Sequence, residues 1–345
     1  MSLPSLKKPR TGAFFINSAL FKLINTRFVK NYGDNASKIF EFGIFLFLMA
    51  AKRKTDMSLK EVIALITLLD DPDEIIYTQV KDRFVTLGPP AIPHLETAWE
   101  NSFDAIMQKR IEIIIHTIQF ERLQKALKEW ARDEQDDLLK GILILSRYQY
   151  PDLDEVKIKK QLHQIKQDVW LELHEDLTAL EKVKILNHIL FEVHQFSGNI
   201  TNYHAPQNSF LNNVLESKKG NPLMLSVVYM LICKDLNIPV YGINLPQHFV
   251  LAYLNDYANL MDVTNKSLSN NILFYINPFS KGLIFNQKDI DQFLKQLNLE
   301  PESKYYLPCS NIEILKRCLN NLIFSYEKLG YLEKVEELKG LESQL

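Results

Sequence analysis

Apolar residues recur every three or four positions over most of the chain that follows residue 57, which is the spacing of amphipathic helices. Two segments begin with a capping box, in which Ser58 pairs with Glu61 and Thr178 pairs with Glu181. β-Branched and aromatic residues are enriched and partly alternate, as in strands, in the part between residues 238 and 276. The pattern predicts a mainly helical α+β protein with one small antiparallel sheet.

Turn residues divide this pattern into separate elements. Gly88-Pro89-Pro90 ends one helix near Leu87, and Gly330 separates the last two helices. We expect a further helix that begins near Ala91 and carries Ile92, Leu95 and Trp99. Other helices are expected at about residues 103–119, 121–131, 136–147, 154–173, 178–196, 222–237, 286–297, 311–329 and 331–345. The predicted strands are 238–244, 249–254 and 272–276.

The helical segment at 58–150 resembles a HEAT-type repeat array. The resemblance covers about one repeat, in which a Gly-x-x-Ala-x-Pro-x-Leu pattern follows two short helices and a DP turn. In this chain the pattern is formed by Gly88, Ala91, Pro93 and Leu95. Stacked helix pairs of this kind bury their apolar faces against neighbouring repeats and leave an extended surface for partners.

Residues 1–56 show no coherent period. Their apolar run, Ile39–Ala51, has 13 residues and contains Glu41, whereas a bilayer-spanning helix needs about 20 residues. Three interpretations compete for this run: a short packing helix, a membrane-associated or targeting segment, and part of a poorly organised N-terminal extension. We favour the extension, with Met57 as an alternative start, and we do not expect membrane contact through Ile39–Ala51.

Composition narrows the range of functions. A formal net charge of −2, with 24% charged residues, argues against nonspecific binding to nucleic acid. The three cysteines lack the spacing of a metal site or a disulfide framework, which fits a reducing cytoplasm. Phosphate loops, dinucleotide fingerprints and zinc signatures are missing from the sequence, so we expect no cofactor and no metal.

The segment at 199–282 carries the pattern with the most chemical meaning. A helix is followed by a strand, a second strand that begins at a histidine, and a third strand that ends at a polar residue. Papain-like and transglutaminase-like enzymes use this order, with a cysteine at the helix start, the histidine as base and an Asp or Asn that orients the imidazole.

Three ordered motifs in this segment resemble the SirB-type family of bacterial transglutaminase-like proteins. The family pattern consists of a G-x-P-x-x-L-S helix start, a P-x-H-F strand and an I-D-P-F-x-x-G strand. The corresponding residues here are Gly220-Asn221-Pro222 with Leu225-Ser226, then Pro246-Gln247-His248-Phe249, then Ile276-Asn277-Pro278-Phe279 with Gly282. The resemblance implies a transglutaminase-like core at 154–298, followed by a tetratricopeptide-like helix pair at 305–345.

Active transglutaminases have a cysteine in a G-x-C motif where this chain has Pro222, so the resemblance implies that the nucleophile is lost. Cys233 lies eleven residues further along the helix, which corresponds to about 16 Å at 1.5 Å per residue. We therefore interpret Cys233 as a buried structural residue.

The remaining catalytic candidates are His248, Asn277, Ser226 and Asp262. Asn277 stands where the family has an acidic residue, and we prefer it to Asp262 as the partner of His248. A structural histidine and a serine that bonds its own helix are the plain alternatives for His248 and Ser226. The residues expected to line the cleft are Tyr203, His204, Asn208, Gly220, Asn221, Pro222, Gln247, His248 and Asn277.

These observations favour a catalytically degenerate, cytoplasmic transglutaminase-like protein that acts as an interaction or regulatory module. Its expected partner is another protein or a peptide, and we do not expect nucleic acid. The alternative is an active hydrolase or amidase that uses His248 with Ser226 or with an activated water.

Overall fold

Helices carry most of the residues that the computed structural model describes, which are 60–255 and 271–345. The chain divides into two units, the first ending at Ile115 and the second running over His116–Leu345. Residues 1–56, Met57, Ser58 and Asp262 lie outside the described residues, and so does the predicted apolar run Ile39–Ala51. No helix of the described part combines the length and the apolar character that crossing a bilayer demands.

The first unit is helical. After helical residues 60–66 come α1 (Glu74–Leu87), α2 (Ile92–Asn101) and the beginning of α3 (Ala105–Asp133). The Asp73 side chain accepts from the Ile75 N–H and caps α1, which ends at Gly88 with a φ of 71°. The stop predicted at Gly88 is thereby confirmed.

A buried arginine holds the beginning of α3 to the preceding segments of the first unit. Nη1 of Arg110 donates to the Leu69 carbonyl at 2.9 Å and to the Asp71 carbonyl at 2.5 Å. Its Nη2 donates to Glu74 at 2.7 Å, and the guanidinium lies 4.4 Å from the centre of the Tyr77 ring. These contacts satisfy a charge that would otherwise be expensive to bury.

The two helices predicted at 103–119 and 121–131 are wrong, because α3 runs through both without interruption. The polar stretch around Glu121 suggested a break, but the segment contains neither glycine nor proline. Nothing in the chain therefore opposes continued backbone hydrogen bonding through this point.

The second unit contains the remaining helices and all the strands of the described residues. Two-residue strands β1 (Ser197–Gly198) and β2 (Lys219–Gly220) pair in parallel. The helices are α4 (Leu138–Ser146), α5 (Glu155–Glu172), α6 (Ala179–Asn187), α7 (Leu211–Ser217), α8 (Pro222–Asp235), α9 (Gln287–Gln296), α10 (Asn311–Leu329) and α11 (Leu332–Glu342). A π-helical turn, His188–Val193, extends α6.

Four antiparallel strands form the sheet in the order β3-β4-β5-β6. They are β3 (Val240–Asn244), β4 (Phe249–Leu254), β5 (Ile272–Asn277) and β6 (Leu283–Phe285). Leu251 on β4 pairs with Gly242 on one side and with Ile276 on the other. The α+β class and the small antiparallel sheet are confirmed, whereas β6 was not predicted.

The sheet is covered on both faces, so β4 is buried along its whole length. Phe249, Leu251 and Tyr253 belong to the large core that also contains α8, while Val250 and Leu254 pack into a second cluster with Ile290 and Leu294 of α9. Because side chains alternate along a strand, one strand contributes to both cores.

Gly282 explains the last position of the third motif. Its φ is 74°, and a Cβ there would lie 2.0 Å from Oδ1 of Asn187. The Asn187 amide donates to the Gly282 carbonyl at 2.9 Å, which ties the β5–β6 turn to α6. Glycine is required at this position by both conformation and space.

Candidate functional site

A cavity of about 710 Å³ opens where the N-terminus of α8, the 203–209 loop, the start of β4 and one side of α10 meet. Its size is in the range of small-molecule and peptide sites. Six of the nine residues predicted to line the cleft do line it: Tyr203, His204, Asn221, Pro222, Gln247 and His248. The α10 side adds Arg317, Asn320, Asn321, Phe324 and Ser325.

The N-terminus of α8 is built from polar pairing around Asn221. Its Oδ1 accepts from the Met224 N–H at 2.8 Å, and its Nδ2 donates to Oγ of Ser209, also at 2.8 Å. Pro222 follows as the first residue of the helix, a position where the absence of an N–H costs nothing. Both side-chain groups of Asn221 are thus used to fix this wall of the cavity.

Asn208 holds the adjoining loop but does not line the cavity. Its Nδ2 donates to the carbonyls of Asn202 at 2.7 Å and Tyr203 at 3.0 Å. Its Oδ1 accepts from Nδ2 of Asn199 at 2.9 Å. A buried amide with these partners sets the path of the loop and so places the rings of Tyr203 and His204 at the cavity mouth.

An aromatic rim follows from that loop path. The Tyr203 and His204 ring centres are 5.1 Å apart, and His204 lies at the same distance from Phe324 of α10. Edge-to-face contacts of this kind are the favoured geometry of aromatic pairs. Phe324 is 45% exposed despite its size, so its ring is available to a ligand.

His248 lies just before β4, after Gln247, whose φ is 60°. Its ring packs edge-to-face on Phe293 of α9 with the centres 4.8 Å apart. Within 60–255 and 271–345 no side chain forms a hydrogen bond with this imidazole. Partial burial lowers the pKa of His248, and the charge of Arg317 lowers it further. The ring is therefore neutral at pH 7.

Arg317 is a cavity residue that the sequence reasoning missed. Its Nη1 donates to Oδ1 of Asn244 at 3.3 Å and to the Leu245 carbonyl at 3.4 Å. Burial lowers the pKa of this guanidinium, but an arginine stays protonated at any physiological pH. Arg317 has no ion-pair partner among the described residues, so it brings an uncompensated positive charge to the cavity.

The other predicted catalytic residues are not brought together with His248. Oδ1 of Asn277 accepts from the N–H groups of Phe279 at 3.1 Å and Ser280 at 3.3 Å, which caps the turn after β5. Ser226 is fully buried, and its hydroxyl donates to the Pro222 carbonyl at 2.8 Å inside α8. Gly220 is buried in β2, where a Cβ would lie 3.1 Å from Val214. Neither Asn277 nor Ser226 lines the cavity.

The three cysteines are free, and none of them lines the cavity. Burial raises the pKa of Cys233 well above its ordinary value and raises those of Cys309 and Cys318 to about 12. Such thiols are poor nucleophiles at neutral pH. Among the residues that the structure describes, His, Cys, Asp and Glu side chains form no group of three that could hold a metal ion.

Comparison with known proteins agrees with this geometry. Residues 156–320 match the family model described as the transglutaminase-like superfamily. This part of the second unit is thus similar to the transglutaminase-like superfamily. The match begins just inside α5 and ends within α10, so it includes Arg317 and Asn320 but stops before Asn321 and Phe324.

Two kinds of relative are similar to this chain. A UPF0162 protein of Xylella fastidiosa is 32% identical over 134 residues, which cover 39% of this chain and 48% of the relative. F-box only protein 21 of Mus musculus is 22% identical over 249 residues, which cover 65% of this chain and 38% of the relative. The chain thus spans about half the length, or less, of these curated relatives. No solved structure matches it significantly.

Proposed function

We propose that the transglutaminase-like domain of this chain is a noncatalytic binding module, in which the cavity receives a segment of another protein. The observation that carries the proposal is Pro222. It lines the cavity at the first position of α8, where the resemblance to transglutaminases expects the cysteine nucleophile. A proline side chain can neither attack a carbonyl nor take up a proton.

The surrounding residues support the same conclusion. Ser209 and Ser325 are lining residues of the cavity but are buried, and the Ser325 hydroxyl donates to the Asn321 carbonyl at 2.8 Å. A catalytic triad needs a nucleophile hydrogen-bonded to its base and an orienting group on the base. His248 has neither partner among the described residues.

The relatives are compatible with a module that works inside longer proteins. The region similar to this chain occupies 38% of F-box only protein 21 from Mus musculus. A domain that recurs as one part of a longer chain fits an interaction or regulatory role in the present protein. The cytoplasmic location and the protein or peptide partner belong to the same proposal.

One observation favours hydrolysis as a second candidate function. The imidazole of His248 lines the cavity, and its lowered pKa keeps it able to accept a proton from water near neutral pH. In this alternative an activated water takes the place of a side-chain nucleophile. It requires turnover that disappears when His248 is replaced.

Chemical labelling of nucleophiles in the cavity tests the proposal. The full chain and its His248→Ala variant are treated with iodoacetamide and with a fluorophosphonate, and adducts are located by mass spectrometry. We expect no adduct in the cavity of the wild-type protein. Labelling of a cavity residue other than His248 that disappears in His248→Ala would overturn the noncatalytic role.

A cysteine introduced at position 222 tests whether this is a nucleophile position. In Pro222→Cys, the thiol lies at the N-terminus of α8, where the helix dipole favours a thiolate. We expect alkylation about tenfold faster than in the control Ala205→Cys, whose residue also lines the cavity but precedes only the four-residue 3₁₀ turn Pro206–Ser209. Equal rates in the two variants would mean that position 222 is not a nucleophile position.

A further inference from the structure

Arg317 gives the cavity a positive charge. Among residues 60–255 and 271–345, Arg317 is the one arginine that lines the cavity, and no lysine, aspartate or glutamate lines it. Both hydrogen bonds that Arg317 forms in the described residues are donated by Nη1, and their acceptors are the neutral oxygens of Asn244 and Leu245. At 3.3 Å and 3.4 Å both are longer than the bonds that arginine forms with carboxylates.

Among the described residues, the charged groups near the cavity do not compensate Arg317. Glu342 accepts from Nδ2 of Asn320 at 2.7 Å, but it does not line the cavity. Lys328 lies 4.6 Å from the centre of the Phe324 ring and adds a second positive charge near the rim. Nη2 and Nε of Arg317 have no acceptor in the described residues. A half-buried guanidinium with such donors is suited to bind the anion of a ligand.

We propose that the cavity binds a peptide through a carboxylate, either an acidic side chain or a C-terminus, and that Arg317 is its bidentate partner. This proposal rests on the proposed function and names the chemistry of the bound segment. Planar guanidinium and carboxylate groups match in two parallel hydrogen bonds, which fixes both position and orientation.

The rest of the cavity suits a peptide better than a small anion. Gln247 and Asn321 line it with amide side chains that have no hydrogen-bond partner in the described residues, so they are free to pair with a peptide backbone. The Tyr203, His204 and Phe324 rings form an apolar rim on which a side chain can pack. A free inorganic ion would use none of these groups.

The positive charge of the cavity matches the charge of a carboxylate better than that of a phosphate. A phosphorylated side chain carries between about −1.5 and −2 charges near neutral pH and is usually bound by a cluster of arginines. Among the described residues Arg317 supplies the single positive charge that lines the cavity, which one carboxylate neutralises, and Lys328 lies outside that lining. The site is therefore expected to rank a glutamate peptide above a phosphoserine peptide.

Four pools of peptides, three of them capped at both ends, test this ranking on the immobilised full chain. The flanking positions are randomised among uncharged residues, and the central residue is Glu, Gln or phosphoserine. The fourth pool has Gln at the centre and a free C-terminus, which separates a terminal carboxylate from an acidic side chain. Bound and unbound fractions are quantified by mass spectrometry, which also detects cleavage.

We expect the wild-type chain to retain the Glu pool or the free C-terminus pool at least about tenfold better than the capped Gln pool, the effect of one charge-assisted hydrogen bond or more. Arg317→Gln should abolish that preference. The matched control Lys316→Gln removes the same charge from the neighbouring position of α10, outside the cavity, and should keep it. Circular dichroism and thermal melting establish that both variants fold.

Other outcomes overturn the carboxylate site in distinguishable ways. Equal retention of all pools, or retention of none, removes the anion preference but leaves a noncatalytic cavity intact. Preferential retention of phosphoserine replaces carboxylate by phosphate. Cleavage of any pool that depends on His248 overturns the proposed function itself.

Discussion

Two polar clusters on the C-terminal helices of the second unit differ in how their charges are matched. In the first, which we term the closed network, Glu337 of α11 accepts from the Tyr148 hydroxyl at 2.8 Å and contacts Nε2 of His116 at 2.5 Å. Lys334 donates to Oε1 of Gln149 at 2.8 Å. Glu337 thus finds its partners within the protein, and the charges of His116 and Lys334 lie close enough to lower its pKa.

The cavity around Arg317 shows the opposite arrangement. Arg317 lies on α10, which also carries Tyr326, whose hydroxyl donates to Gln149 in the closed network at 2.9 Å. One helix therefore contributes to the closed network and to a cavity whose cation has no ion-pair partner among the described residues. This missing partner is the basis of the proposed carboxylate site.

Removing the anion of the closed network should have the largest effect on stability. Glu337→Gln weakens the bonds to both Tyr148 and His116, so we expect the free energy of unfolding to fall by about 2 kcal/mol. Urea unfolding followed by circular dichroism measures this loss. Glu336→Gln is the control, because exposed Glu336 has one ion-pair partner among the described residues, Lys339 at 3.5 Å, and should cost less than about 0.5 kcal/mol. Equal losses would show that the network contributes nothing.

Removing one donor of the closed network should have an intermediate effect. Tyr148→Phe deletes the hydroxyl that donates to Glu337 and keeps the ring, so we expect a loss of about 1 kcal/mol. Tyr331→Phe serves as the control, since its hydroxyl has no hydrogen-bond partner among the described residues. If the two variants unfold at the same urea concentration, the hydroxyl of Tyr148 is not part of a stabilising network.

Replacing the unpaired cation should change stability least. Arg317→Met gives up two long hydrogen bonds to neutral oxygens but also removes the free-energy cost of burying a charge. We expect the free energy of unfolding to stay within about 0.5 kcal/mol of the wild-type value. A loss as large as that of Glu337→Gln would identify Arg317 as a structural residue and remove the contrast between the two clusters.

The histidines of the two clusters should respond to pH with opposite signs. The hydrogen bond to Glu337 raises the pKa of His116, so its stabilising contribution is complete below about pH 6.5 and is lost as pH rises through the raised value. Burial and the Arg317 charge lower the pKa of His248, so stability falls as pH drops from about 6.5 through the lowered value.

Thermal melting between about pH 5 and pH 8 measures both effects. His116→Gln should flatten the decline on the alkaline side, and His248→Gln should flatten the decline on the acidic side. Both rings are partly exposed, so each contribution should remain below about 1 kcal/mol. A common sign for the two substitutions would contradict the assigned environments.

Glu337 sets the acidic limit of the closed network. Burial alone would raise its pKa, but the hydrogen bonds from His116 and Tyr148 outweigh burial and lower it. Its contribution is therefore complete above about pH 4.5 and is lost as pH falls through the lowered value. The network is strongest between that limit and the titration of His116.

Elements with local signals were predictable from the sequence. The strand predicted at 249–254 and the helix predicted at 311–329 have the bounds of β4 and α10. Gly330 ends α10 with a φ of 78°, a conformation that glycine adopts without strain. Caps, glycines and apolar periods act within a few residues, so they are visible without tertiary structure.

Elements that depend on distant partners were not predictable. β6 has three residues, and it exists because Leu283 and Phe285 pair with β5. The pairing of β1 with β2 joins residues more than twenty positions apart. No local pattern distinguishes such short strands from loop, since the hydrogen bonds that define them come from elsewhere in the chain.

The candidate site was predictable on the side that the motifs cover and not on the other. Pro222 and His248 belong to motifs, and both line the cavity. Arg317 follows Lys316 and looks like one more charge on a solvated face. A signal does exist, because Arg317, Asn321 and Phe324 follow one another at helical spacing beside the apolar stripe of α10.

The buried side and the cavity side of α10 can change independently over evolutionary time. Leu315, Leu319 and Leu322 of this helix are fully buried, while Arg317 and Phe324 form a cavity wall. Substitutions on the wall leave the buried stripe untouched, so ligand preference can diverge among descendants while the architecture is inherited unchanged.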